Sequence, residues 1–435
     1  MSTDQPQPDA LAAVRVPGYR VFAAGFLTTG MGLQLLTVPV LWEMWERTHD
    51  PMSLGWVGVA RATPVVLLAI VSGHAADLYP RRVLMGVSQL GFAIATAGLA
   101  WWSFAQAPLW IAYALLVATG ICRAFNGPSR GALVPQLVPP AALENAMTWN
   151  SGLFQLAAIV GPLVGGALID LRGAAWPAFA ATSLLCFIGA ATAPLIRPLT
   201  MQTRPRGMSW GNLMAGARYI QREPTIFGAI TLDLLAVIFG GATALLPIYA
   251  ERILHVEGFG LGVLRAAPFA GALVMAVLIA RRPPFKRAGR ALLWSVAAFG
   301  LATIVFGFSQ WFWLSLAALF VAGAADNISV IIRHVLVQVR TPDELRGRVA
   351  AVNSLFIECS NELGSFESAV VARAFGPIAS AVSGGVGTLG VVALVGRAFP
   401  ALRNLHTLSA PAPQPVPAPT PTPDASVETR PAEAI

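Results

Sequence analysis

The chain has 435 residues, of which 56% are hydrophobic and only 11% charged, and its formal net charge is +8. A water-soluble globular domain is about one quarter charged. The composition therefore excludes an ordinary soluble domain and makes lipid the expected solvent, so the basic balance must be judged by where the charges sit.

Residues 1–18 are polar and Pro-bearing, without the apolar core of a cleavable signal peptide. Twelve apolar segments follow, each long enough to cross about 30 Å of hydrocarbon as a helix of roughly 20 residues. They run over 20–45, 53–76, 82–104, 108–129, 143–169, 175–196, 225–249, 258–280, 289–309, 311–333, 346–371 and 376–397. Between the sixth and seventh lies a polar stretch, 197–224. In it Trp210, Leu213, Met214, Ala217 and Ile220 recur at helical spacing, which predicts an amphipathic helix on the membrane surface. The Pro-, Ala- and Thr-rich residues 404–435 predict a disordered tail. The expected organisation is a tail over 1–18, a six-helix half over 19–196, a linker over 197–224, a second half over 225–403 and the Pro-rich tail.

Seventeen Lys and Arg residues fall in alternate connections, among them Arg81, Arg82, Arg130 and Arg333, against four (Arg47, Arg172, Arg252, Arg373) in the others. Such a bias orients the basic connections, both termini and the 197–224 linker toward the cytoplasm of a bacterial-type cell, with the chain in its inner membrane. The net charge is then topological, and nucleic acid is not an expected partner. Three further arginines, Arg61, Arg123 and Arg265, fall inside apolar segments.

One offset recurs. A shift of 203 pairs Gly120 with Gly323, Arg130 with Arg333, Pro139 with Pro342, Asn150 with Asn353 and Gly161 with Gly364. A shift of 204 pairs the run from Gly58 to Pro64 (GVARATP) with that from Gly262 to Pro268 (GVLRAAP). The chain thus reads as two parallel six-helix halves made by duplication.

The run from Gly73 to Arg82 (GHAADLYPRR) resembles the loop motif of the major facilitator superfamily. The run from Arg123 to Gly127 (RAFNG) resembles that family's fourth-helix motif. Gly161, Pro162, Gly165 and Gly166 (GPLVGG) resemble its fifth-helix motif, which in the family marks exporters working as antiporters. The stretches 120–166 and 341–353 look most like the drug:proton antiporter branch that includes the enterobactin exporter. The resemblance covers about residues 15–400. It implies an all-α membrane protein of twelve transmembrane helices in two six-helix pseudo-symmetric halves. The chain departs from the family pattern at Leu78 and Pro80 of the loop motif. It also lacks a mid-helix acid in the first span, where Gln34 and Thr37 are the polar residues.

An ionised side chain in mid-membrane costs at least ~2.5–3.5 kcal/mol, so each should face a cavity or a partner. Arg123 and Asp326 are offset mates, and the resemblance puts the fourth and tenth helices along the central cavity. They are read as facing one another there, with local pairing inside each half as the alternative. Asp233 is read as a proton carrier, or else as hydrogen-bonded within its bundle. Glu358 and Glu362 share a face of the eleventh span at a spacing of four. The resemblance brings that span against the second, so Arg61 and Glu362 form a candidate outer latch. Asp77, Arg81 and Arg82 form a candidate inner latch, Asp77 meeting the end of the eleventh helix or Arg130. Gly161, Pro162, Gly165 and Gly166 allow close helix approach, and a bend at Pro162 is read as a seal against proton leak.

Competing chemistries find little support. Lys286, the only lysine, follows Phe285, so there is no GK[ST] and no P-loop. The five histidines form no HExxH pattern, no metal or cofactor is expected, and Cys122, Cys186 and Cys359 make no CxxC pair. The run from Gly127 to Gly131 (GPSRG) spells a serine-hydrolase elbow, which needs a strand–turn–helix context that a membrane helix lacks. The expected function is proton-coupled export of a small, partly apolar molecule, a drug or siderophore, by a monomer that is not an enzyme. Facilitated uptake or lipid movement by the same fold is the alternative, and a membrane-embedded enzyme or sensor is the remote one.

Overall fold

The computed structural model describes residues 11–199, 210–282 and 285–406. The described chain is helical throughout. In the first half α1 (Pro17–Leu35) and α2 (Thr37–Thr48) share one span, followed by α3 (Pro51–Leu67), α4 (Ala69–Leu78), α5 (Arg81–Phe104), α6 (Leu109–Leu137), α7 (Leu143–Arg172) and α8 (Trp176–Thr192). Next comes α9 (Trp210–Arg222). The second half holds α10 (Pro224–Phe239) and α11 (Leu246–Arg252) in one span, then α12 (Gly258–Ala280), α13 (Ala288–Phe308), α14 (Phe312–Arg340), α15 (Asp343–Phe375), α16 (Pro377–Ala398) and the short α17 (Pro400–Arg403).

The punctuation is written in the sequence. Pro17, Pro51, Pro224 and Pro377 open helices, where a missing N–H costs nothing. Asp50 caps α3 by accepting from the Met52 amide at 3.1 Å. Gly173 closes α7 with φ +63°, a conformation that favours glycine. Between α3 and α4 the axis bends by 52°, four residues after Pro64.

Among the described residues ten spans are long and apolar enough to cross a bilayer, and the bent α3–α4 pair makes eleven. The twelfth is α15, which has the length at 33 residues but carries Arg346, Arg348, Glu358, Glu362, Glu367 and Arg373. It packs against α3, α9, α10 and α16.

The halves meet along two helix pairs, α7 on α12 and α3 on α15. Glycine makes both approaches possible. A Cβ on Gly166 would collide with the carbonyl of Gly258, and one on Gly262 with that of Pro162. Gly58 lies against the Glu362 carboxylate, and a Cβ on Gly55 would stand 2.9 Å from that of Ala369. The other side of α7 uses the same motif: Gly161 and Gly165 pack on Leu35 of α1. The helix runs on through Pro162 without a break, and close packing flanks it on two sides.

The apolar cores differ between the two ends. At the end away from the termini one cluster joins Val40, Met44, Trp45 and Leu54 of the first half with Leu245, Leu246, Tyr249 and Leu261 of the second. Polar contacts reinforce it: Trp45 donates to Glu251, Asp170 accepts from the Phe259 amide at 2.8 Å, and Asp50 lies 3.7 Å from Arg373. At the terminal end each half has a separate core. One is centred on Tyr19, Leu133, Leu137 and Ile196, the other on Leu232, Leu292, Leu336 and Leu402. The halves therefore share one large core at the far end, whereas at the terminal end their large cores are separate and Ile70 of α4 packs across on the cluster of Ile220, Ile226, Val349 and Val352.

One sequence expectation is refined. The 210–222 helix was expected on the membrane surface. Instead Ile220 is buried with Ile226, Ile230, Val349 and Val352, so part of its apolar face is spent on α10 and α15. Residues 1–10 of the first tail, 200–209 of the linker and 407–435 of the Pro-rich tail lie outside the described residues.

The glycine contacts make a stability prediction. Gly166→Val drives a side chain into the α12 backbone and is expected to cost about 1–3 kcal/mol. Gly131→Ala, with nothing within 4 Å of its added Cβ, is expected to leave stability unchanged or raise it by up to about 1 kcal/mol through helix propensity. Thermal denaturation of the detergent-purified variants, followed by loss of the monodisperse peak, checks both.

Candidate functional site

Three charged groups lie within the spans, and two of them contain the expected site residues. The first bridges the halves. Arg123 of α6 donates from Nη2 to Oε1 of Glu358 on α15 at 2.8 Å. The two side chains keep 40% and 33% of their surface accessible. That surface faces the division between the halves: Gly127 and Gly131, one and two turns along the face of α6 that bears Arg123, have nothing within 4 Å of their Cβ positions.

The partner of Arg123 differs from the one expected. Asp326 does not face it. The helix α6 packs on α3, α4 and α5, whereas α14 packs on α12 and α13, so the offset mates belong to separate bundles. Glu358 lies nearer because α15 crosses to the first half at α3.

Around this bridge stand Arg61, Glu362 and Arg265. Glu362 feels the charges of Arg61, Arg123, Glu358 and Arg265, and Arg61 feels those of Arg123, Glu362 and Glu358. The expected Arg61–Glu362 latch is thus one part of a five-member cluster. The two make no ion pair within 4.0 Å among the described residues; the Glu362 carboxylate rests on Gly58, three residues before Arg61. The duplication brings Arg265, the offset mate of Arg61, to the same place.

The second group lies inside the second half. Asp233 of α10 forms an ion pair with Arg333 of α14, both nearly fully buried. Arg333 was counted among the connection charges. In the structure α14 continues to Arg340, two turns further, and Arg333 lies within it. Asp326 stands two turns before Arg333 on α14, within electrostatic reach of it and of Asp233. Among the described residues Asp326 makes no direct ion pair or hydrogen bond. Asn327 Oδ1 and Ser329 Oγ on the same helix, and Asn126 Oδ1 on α6, are buried without a hydrogen-bond partner. Asn126 and Ser329 are themselves offset mates at 203.

The inner latch is open in this conformation. Arg81 donates from Nη1 to the Ala132 carbonyl at 2.7 Å, and Arg82 to the Ile196 carbonyl at 3.2 Å, both inside the first half. Arg130 lies over the Phe26 ring at 4.8 Å. Asp77 therefore meets neither Arg130 nor, within ion-pair distance, any other cation among the described residues.

One charge pair was not singled out from the sequence. Glu43 and Arg47 pair at a spacing of four inside α2, with the guanidinium 3.9 Å above the Trp102 ring and donating to the Ala107 carbonyl. The spacing was the available signal; Arg47 read as a loop charge because the first span was ended too early. The elbow-like serine has another use: Ser129 donates to the Phe125 carbonyl of its own helix at 2.7 Å.

With the geometry in place, comparison decides the family. The profile described as Major Facilitator Superfamily matches residues 22–365. The chain belongs to the Major Facilitator Superfamily. It is 25% identical over 378 residues to the enterobactin exporter EntS of Escherichia coli O1:K1, covering 86% of this chain and 89% of that one, and equally to EntS of Shigella boydii serotype 18. Among solved structures it resembles the human organic anion transporter MFSD10, with TM-score 0.64, 17% identity and coverage of 90% of this chain and 100% of that one. A bacterial homologue of the human lysosomal transporter Spinster, in an inward-facing and occupied conformation, matches with TM-score 0.63, 16% identity and coverage of 91% and 97%. Fold and relatives are those of membrane transporters.

The buried pair of the second half yields a second prediction. Arg333→Leu leaves Asp233 buried without its cation and is expected to cost about 3–5 kcal/mol. The double variant Asp233→Leu/Arg333→Leu removes both charges and is expected to recover most of that loss. Thermal denaturation of the two proteins, side by side, tests the pair.

Proposed function

We propose that the chain is a secondary active exporter that moves a small, partly apolar molecule by alternating access in exchange for protons, as a monomer in a bacterial inner membrane with both termini cytoplasmic. The two halves, 19–196 and 225–403, act as the moving units. The observation that carries the reading is a charge bridge between two halves that share one core at the far end and have separate cores at the terminal end. With the termini in the cytoplasm this is the state that loads substrate from inside. Export then requires the far-end contacts of Trp45 with Glu251 and of Asp50 with Arg373 to part while the terminal end closes. Closure would let Asp77, Arg81, Arg82 and Arg130 engage the second half.

The proton side of the exchange is assigned to Asp326. Asp233 and Asp326 share one guanidinium, that of Arg333, so one negative charge in the span has no direct partner. A proton is the smallest species that can neutralise it. Asp233 keeps its ion pair and positions Arg333.

Vesicles containing the protein, with an imposed pH gradient, test this. The probes are a panel of fluorescent drugs and a catecholate siderophore, compared between the parent chain and Asp326→Asn. Gradient-dependent movement of at least one compound is expected. In Asp326→Asn the dependence is lost, with the gradient-driven rate falling at least about tenfold, the scale of losing one coupling interaction. Movement that ignores the gradient makes the protein a facilitator; coupling that survives Asp326→Asn removes Asp326 from the proton path.

A further inference from the structure

The inter-half cluster contains three arginines and two glutamates, an excess of one positive charge. Only one of those arginines has a direct anionic partner: Arg123 holds Glu358 at 2.8 Å. Arg61 and Arg265 make no ion pair or hydrogen bond among the described residues. Both lie well inside their spans, ten residues into α3 and seven into α12. Unpaired cations at such depth are costly unless they face a cavity or a ligand. The paired cation is itself not closed off, since 40% of Arg123 and 33% of Glu358 remain accessible from the division between the halves.

Apolar surface stands beside the charges. Phe269, one turn beyond Arg265 on α12, meets Phe154 of α7 edge-to-face at 6.5 Å and 78°. Phe154 keeps 45% of its surface exposed. The approach to Arg123 is lined by Gly127 and Gly131, whose Cβ positions are open.

Resting on the transport reading above, the geometry points to an organic-anion site built from Arg61, Arg123 and Arg265, in which Glu358 is an internal occupant that the substrate's anionic group displaces. The substrate class is an aromatic or otherwise apolar body carrying a carboxylate, sulfonate or phenolate. The occupied site then replaces one anion by another on Arg123, so entry of substrate creates no new unpaired cation. It also releases α15 from α6, because the Arg123–Glu358 bridge ties the two halves.

The arrangement gives Glu358 and the site arginines opposite effects on anion binding. The test uses the full chain in nanodiscs of neutral lipid and two dyes with the same xanthene core, fluorescein as the anion and rhodamine 6G as the cation. Binding is read by fluorescence anisotropy. Fluorescein is expected to bind at least about tenfold tighter than rhodamine 6G. Glu358→Gln removes the competitor and is expected to tighten fluorescein about threefold or more. Arg265→Gln is expected to weaken it about tenfold, with Arg265→Lys recovering part of the loss.

A protein that prefers rhodamine 6G, or binds neither dye, overturns the inference. So does a Glu358→Gln variant that loses fluorescein affinity as Arg265→Gln does, since Glu358 would then support the site instead of filling it. The comparison of the two dyes on the parent chain needs no variant to fold. Gradient-driven transport of any vesicle-panel compound, combined with no fluorescein binding, sinks the anion site and leaves the export reading. Fluorescein binding with the predicted signs, but no gradient-driven transport, does the reverse.

Discussion

The cost of a bare charge in hydrocarbon organises this protein. At ~2.5–3.5 kcal/mol or more per group, no ionised side chain is left against lipid without a reason. That penalty explains why α15, with eight charged residues along it, packs against α3, α9, α10 and α16. It explains why Arg47 lies over Trp102 beside Glu43 and why Arg333 holds Asp233. The exceptions are the groups on which the proposed function rests: among the described residues Arg61, Arg265 and Asp326 make no direct ion pair or hydrogen bond.

A second constraint acts with the first. Two bundles that must separate cannot be held together by deep interdigitation of large side chains, yet they must seal. Glycine solves this by bringing backbones into contact over a narrow line, as Gly166 does at Gly258 and Gly262 at Pro162. Such a seam has little side-chain volume to unlock when it shears. The far-end core then supplies the area that holds the present state, and the polar contacts of Glu251 and Arg373 at its rim are exposed enough to be exchanged for water.

Much of the fold was legible in the sequence because hydropathy and duplication speak about one helix at a time. Twelve segments, the 203 offset and the glycine motif needed no knowledge of which helix touches which. The pairing of charges did need it. Arg123 and Asp326 are true offset mates, but duplication places mates at equivalent positions of separate bundles, and α6 and α14 pack on different neighbours. Glu358 reaches Arg123 because α15 crosses to α3, a tertiary fact that no local pattern encodes. Arg333 was misplaced for a related reason: an arginine after an apolar run reads as a helix end. Only the further run to Arg340, which continues at helical spacing, shows that α14 extends beyond it.

The two halves have kept their frame and diverged in charge. At the equivalent positions of α6 and α14 the first half carries Arg123 and Arg130, the second Asp326 and Arg333. The arginine nearer the terminal end is common to both; the residue two turns before it has opposite sign. In the second half it makes a carboxylate that shares its arginine with Asp233, a group fit to take up a proton. In the first half it makes a cation that borrows a carboxylate from across the seam, a group fit to take up an anion. A symmetric pair of helices thereby offers two chemically different sites at matched depth. Under the proposed exchange that difference has a use: a basic site in one half and an acidic site in the other would let substrate and proton each answer to its own half while both bias the same rocking motion.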